Sequence, residues 1–215
     1  MKTKLSIFFL VFLPSFIFAS SYFPQFYHFY KPTLGEWSKY EITDNFGNKG
    51  ILTVSVVAKE NDDYWIEVES SSNGENGIVA YLVNGDPTDD ENVLKIRLKS
   101  EDGPIIEIDK ATLDKMKKMQ KISQSFQSVG PPRGKIQTLP NEKIKVGKKS
   151  YNCSRIKLIG EEGQSADIWI SDEVVPFGIV KLVSGSESLV LLDSGKDAKM
   201  KLKGDVKPLV IEGGN

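Results

Sequence analysis

Cysteine and histidine are each represented once in these 215 residues, by Cys153 and His28. A lone cysteine forms no intramolecular disulfide, so stability has to come from packing, and a small disulfide-stapled module is excluded. With a single histidine the common hydrolase and metal constellations lose their usual base or ligand. The sequence has no G-x-S-x-G elbow, no H-E-x-x-H and no metal-ligand spacing of cysteines. Cys153 stands between Tyr151, Asn152, Ser154 and Arg155, which read as strand, and is distant in sequence from His28. It is expected to be a half-buried structural thiol. The chain therefore reads as non-enzymatic, with no catalytic residue, metal or cofactor expected.

An excess of either charge is also lacking, with 28 basic against 29 acidic residues. Nucleic-acid binding needs a concentrated basic face, so no nucleic-acid partner is expected. Long apolar runs are scarce too, with one exception. Lys2 and Lys4 precede an uncharged apolar stretch over 5–18, and Ala19 supplies a small residue at its end. The run is shorter than the roughly 20 residues a membrane-spanning helix needs, and it contains Pro14. This pattern predicts a cleaved secretory signal over residues 1–19 and a periplasmic or secreted location, with no transmembrane span afterwards. The rest, 20–215, is long enough for one full hydrophobic core and is expected to be a single domain.

What the sequence does have is alternation. Apolar residues recur every second position over Trp37–Thr43, 51–59, 64–69, 78–83, Val93–Lys99 and 105–108, as half-buried strands require. Asn, Asp and Gly between them tolerate the positive φ of tight turns, so this half is expected to be an antiparallel meander. In Val93–Lys99, Leu94, Ile96 and Leu98 alternate with Lys95, Arg97 and Lys99. A register slip of one residue would bury three cations, so the register is well specified. The two-residue period returns at 143–146, 151–159, 166–171, 178–183, 188–192 and 198–202, after a loop expected to run through Pro140. The tail from Asp205 is expected to be an edge strand or disordered.

The period changes once. Leu113, Met116, Met119, Ile122 and Phe126 recur at three- and four-residue steps, with Lys115, Lys117, Lys118 and Lys121 on other faces. Asp109 can cap this segment three residues before Thr112, and Gly130-Pro131-Pro132 stops it. One amphipathic helix over about 110–128 is predicted. About eleven strands are too many for a flat sheet. The fold class is therefore mainly β, a curved antiparallel sheet or half-open barrel of about eleven strands covered by one inserted helix.

Other features read as structure. Gly130-Pro131-Pro132-Arg133-Gly134-Lys135 lacks the spacing of a phosphate loop and follows a helix, so it reads as a linker. The acidic run Asp86, Asp89, Asp90 and Glu91 lacks the ligand spacing of a calcium loop and reads as a solvated turn. Glu67 and Glu69 share one strand face, as a glycosidase pair would, and are expected on a solvated face. The aromatic residues flanking His28, from Tyr22 to Tyr30, are expected to fold onto the core rather than anchor the chain to a membrane.

One stretch carries a family resemblance. Ala166-Asp167-Ile168-Trp169-Ile170-Ser171, followed by Val175-Pro176-Phe177-Gly178-Ile179-Val180-Lys181 and preceded by Tyr151-Asn152-Cys153, resembles a recurring element of exported bacterial proteins of the LolA/LolB lipoprotein-carrier superfamily. There a strand ending in Trp and Ser turns through Val-Pro into a Gly-Ile-Val-Lys strand. Gly35-Glu36-Trp37 and Tyr64-Trp65-Ile66-Glu67 are similar in kind. The resemblance implies a half-barrel whose concave apolar face receives acyl chains. On that basis the chain is expected to bind an apolar or acylated ligand, with Leu113, Met116, Met119, Ile122 and Phe126 as a lid. The alternative expectation is an envelope protein-interaction module whose core is filled by its own side chains.

Overall fold

The structure, a computed structural model, describes residues 32–72, 75–85, 90–99, 103–123, 134–160 and 165–209. The expected signal over 1–19 and the aromatic cluster around His28 lie outside the described residues. So do Phe126 and most of the acidic and phosphate-loop-like segments.

Among the described residues twelve strands form one continuous open sheet. They are β1 (Trp37–Thr43), β2 (Lys49–Glu60), β3 (Asp63–Ser72), β4 (Glu75–Val83), β5 (Val93–Lys99), β6 (Ile105–Asp109), β7 (Gly134–Val146), β8 (Lys149–Gly160), β9 (Ser165–Ile170), β10 (Ile179–Ser184), β11 (Glu187–Gly195) and β12 (Val206–Pro208). A helix, α1 (Lys110–Ser123), follows β6 directly and lies beside β5 and β6. The Asp109 carboxylate accepts the Thr112 amide at 2.8 Å, the cap its position suggests.

The strand order is β12-β6-β5-β4-β3-β2-β1-β11-β10-β9-β8-β7. Strands β1 to β6 make one meander and β7 to β11 a second. Antiparallel pairing of β1 with β11 joins them into a single sheet. Among the described strands only β12, beside β6, runs parallel to its neighbour. The expected mainly β, curved and open architecture with one helix is thus observed among the described residues.

Three expectations need correction. The segment through Pro140 belongs to β7, a 13-residue strand in which a bulge between Leu139 and Glu142 absorbs the proline. The segment 198–202 alternates like a strand but joins no ladder. Cys153 is fully buried, at 1% exposure, and burial raises its thiol above the ordinary value.

The Ser171–Gly178 loop holds the motif that carried the family resemblance. The Ser171 amide donates to Gly178 O, Val174 N to Ser171 O and Gly178 N to Val174 O, closing a tight loop. Val175–Pro176 is a cis peptide, and Gly178 sits at φ +73°, where a side chain would also meet Ile170 and the Ser171 carbonyl. The Ser38 hydroxyl donates to Val175 O and docks the loop onto β1. The motif is structural, as its residue types imply.

Candidate ligand-binding face and the strap behind it

Residues paired directly across a ladder share a face of the sheet, so the register assigns each side chain. Two parallel rows cross β2 to β6 on one face. Val54, Val68, Val79, Leu98 and Ile106 form the first, and Val56, Ile66, Tyr81, Ile96 and Ile108 the second. All ten are apolar except for the Tyr81 hydroxyl. The same face continues across the joint through Leu52, Tyr40 and Leu191, then along Ile42, Leu189, Leu182, Ile168 and Ile156. We call it the inner face.

The two rows differ in cover. Every member of the first is half-buried, whereas Val56, Ile66 and Ile108 of the second are buried. A half-covered apolar row is surface that a further apolar group can dehydrate, at about 25 cal/mol per Å². Burial pushes the Tyr81 phenol up to about 12. Tyr40 is driven higher still by burial, with the nearby Ser38 hydroxyl offsetting part of it. Among the described residues the hydroxyls of Tyr40 and Ser171 are buried without a hydrogen-bond partner.

Of the residues expected to form a lid, Leu113 and Met116 lie half-buried on α1. Met119 and Ile122 follow on the same helix, but their side chains, like the whole of Phe126, fall outside what the structure describes.

The outer face carries the charge. Trp37, Ser55, Glu67, Ala80, Arg97 and Glu107 make one row across six strands. Over this row runs a strap, residues 196–205, from the end of β11 to the start of β12. Ten extended residues reach up to about 33 Å, enough to cross the roughly 24 Å between β1 and β6. Its amide at Ala198 donates to Gly35 O. Ala198, Met200 and Leu202 then pack on Val57, Trp65, Ala80, Leu82 and Ile105.

Glu67 holds the centre of the strap. Both of its oxygens accept the Lys201 amide, at 2.9 and 3.0 Å, and Oε1 also accepts the Leu202 amide at 2.8 Å. The flanking Ser55 and Ala80 are small, which leaves room for backbone to pass. Glu67 is 1% exposed, contrary to the expected solvated carboxylate pair. Burial raises its carboxyl above the ordinary value, more than the two strap amides lower it. Glu69, two residues on, stays half-buried and pairs with the Lys201 ammonium at 2.7 Å. With one carboxylate sealed under backbone, the pair does not present two acids to a common substrate.

Each of the three tryptophan indoles donates to a carboxylate: Trp37 to Asp197 at 2.7 Å, Trp65 to Glu60 at 3.1 Å, Trp169 to Glu142 at 2.7 Å. Arg97 stacks 4.1 Å from the Trp65 ring and pairs with Glu107. Arg155 stacks 4.8 Å from the Trp169 ring and pairs with Asp167. The same tryptophan–arginine–carboxylate stack thus recurs in both meanders, covering apolar rings with cations that remain paired.

No protein-family model matches the chain, and no curated protein matches it in sequence. Among solved structures, MucB, a protein of LolA-like fold, aligns with 89% of this chain at a TM-score of 0.46 and 7% identity. The chain spans 62% of that protein's length. Similarity at this level is a distant likeness of fold. No helix among the described residues is long and apolar enough to cross a membrane.

Proposed function

We propose that this is an exported, non-enzymatic protein that holds an apolar or acylated ligand against the inner face of its curved sheet. The observation that carries the reading is the row Val54, Val68, Val79, Leu98 and Ile106, five registered apolar side chains that the chain itself only half covers. A long acyl chain laid on such a row gains about 0.8 kcal/mol per buried methylene. In this reading Leu113 and Met116 of α1, with Met119, Ile122 and Phe126 further along the sequence, serve as its cover, and pliable methionines suit chains of different length.

The test compares native with denaturing mass spectra of protein purified without detergent from an exporting host. A dissociable species of a few hundred daltons or more supports the carrier reading and identifies the cargo; a bare protein mass from repeated preparations overturns it.

A second reading, an envelope interaction module with a self-filled core, is favoured by Val56 and Ile168, both at 0% exposure on the inner face. It predicts the bare mass together with a protein partner recovered by crosslinking.

A further inference from the structure

The chain is almost neutral, yet its charge is segregated. Of 28 basic and 29 acidic residues, seven basic and one acidic fall in the 27 residues 134–160, leaving 21 against 28 elsewhere. These 27 residues are the β7–β8 hairpin. Strand β9 pairs with β8 only from Ser154 to Ile159, so residues 142–153 continue past the sheet as a two-stranded arm.

The burial phase of β8 switches along its length. Ile156 and Leu158 are buried near the sheet, whereas Tyr151 and Cys153, of the opposite phase, are buried in the arm. Together with Ile144 and Val146 they pack on the cluster that contains Tyr40, Trp169 and Leu191. One side of the arm is therefore fastened to the core. The other side presents Lys143 and Lys145 opposite Asn152 and Ser150, with Lys148 and Lys149 at the turn, all exposed.

Among the described residues, these four lysines make no ion pair. Some lysines elsewhere do: Lys49 with Glu41 and Lys95 with Glu60 on the sheet, and Lys201 of the strap with Glu69. Glu142, the one acid of the hairpin, is engaged on the fastened side by the Trp169 indole and by Arg155.

We infer that the β7–β8 arm is a docking surface for an anionic lipid bilayer. A protein interface would centre on aromatic or aliphatic anchors, and the exposed side of the arm has none, only lysine, serine and asparagine. Compact, flexibly tethered ammonium groups suit diffuse attraction to a plane of phosphates better than bidentate recognition of a single one. The inference does not depend on the inner face holding a ligand.

The test is sedimentation of the full chain with vesicles of pure phosphatidylcholine and of phosphatidylcholine containing phosphatidylglycerol, at low and high salt. Neutral vesicles account for any apolar attachment. The expected result is preferential binding to the anionic vesicles that fades with salt. It should fall about fivefold for each lysine removed, so some hundredfold or more in Lys143→Gln/Lys145→Gln/Lys148→Gln/Lys149→Gln. A control, Lys39→Gln/Lys99→Gln/Lys199→Gln/Lys203→Gln, removes the same charge from exposed sites off the arm and should bind like the parent. Thermal unfolding of both variants confirms that they fold. Equal loss in the two variants would assign the effect to net charge and overturn the inference, as would anionic binding unaffected by the arm variant. Recovery of an acidic protein by the parent but not the arm variant, without any vesicle preference, would replace the lipid by a protein partner.

Discussion

Glu67 and Leu202 lie 135 positions apart in sequence and 2.8 Å apart in space, carboxylate oxygen to backbone amide. With the Lys201 amide on the same carboxylate, this contact fastens the strap to the outer face between Ser55 and Ala80. A buried charge that accepts backbone hydrogen bonds is costly to remove alone, because the donors lose their partner without regaining water.

Glu67→Ala should therefore destabilise the chain by about 2–4 kcal/mol, from two orphaned amides and the space left behind. Glu67→Gln keeps one acceptor oxygen and should cost less, about 1–2 kcal/mol. Urea unfolding of the two variants beside the parent measures both, and equal stability of all three would remove Glu67 as the fastening.

The pH response of the same group has a definite sign. Burial raises the Glu67 carboxyl in the folded chain above the ordinary 4.5, so the folded state takes up this proton before the unfolded state does. Its contribution to stability is fully present below 4.5 and is lost as pH rises through the raised value. The stability of the parent relative to Glu67→Gln should be greater at pH 4.5 than at pH 7. The lowered carboxyls of Glu60 and Asp109 act in the opposite sense but cancel in this difference. A difference that moves the other way would show that the strap amides outweigh burial.

Tyr40 is buried, and its hydroxyl has no hydrogen bond of regular geometry, with only the Ser38 hydroxyl close by. Tyr40→Phe removes a buried polar atom with at most a poor contact to Ser38 and keeps the ring, so it should be neutral or stabilising by up to about 1 kcal/mol. A loss of more than that in thermal unfolding would reveal a hydrogen bond through water.

Gly195 lies opposite Trp37, and a Cβ there would stand 2.7 Å from the indole nitrogen. Gly195→Ala should displace the ring from Asp197, costing about 1–3 kcal/mol, with a change in tryptophan emission. Unchanged emission and stability would mean that the ring can move freely.

For the ligand, Leu98→Gln breaks the half-covered inner row at β5, between Val79 and Ile106. Each methylene that loses apolar contact costs about 0.8 kcal/mol, roughly fourfold in affinity, so lipid retained through purification should fall severalfold. Met116→Asp with Phe126→Asp should abolish retention while circular dichroism keeps its strand signal. Retention unaltered in the double variant would remove the helical segment from the site, and in Leu98→Gln would remove the row.

Much of the sheet was legible because its signal is local. Alternation in Val93–Lys99 placed Ile96 and Leu98 on one face and Arg97 on the other, as the ladder with β4 and β6 confirms. The helix start was readable from Asp109 and Thr112, since a cap involves neighbours in sequence. Pro140 misled because a bulge can take a proline into an edge strand. The lysines of the β7–β8 hairpin were visible as residues, but their segregation on one free side depends on Tyr151 and Cys153 being buried behind them.

The sequence by itself determined which stretches are extended and which side of each is apolar, because a side-chain period of two is written in consecutive residues. It determined that Ala198, Met200 and Leu202 share one side of 198–202 and its lysines the other; the three pack on the sheet, Leu202 buried and Ala198 and Met200 half-buried. Only the tertiary structure decided that this segment is a strap rather than a strand, and that Glu67 is sealed rather than solvated. Both outcomes depend on two backbone amides meeting one carboxylate across more than 130 residues. Nothing local encodes such a contact: it exists only once the two meanders have joined through β1 and β11 and the chain returns across the face they made.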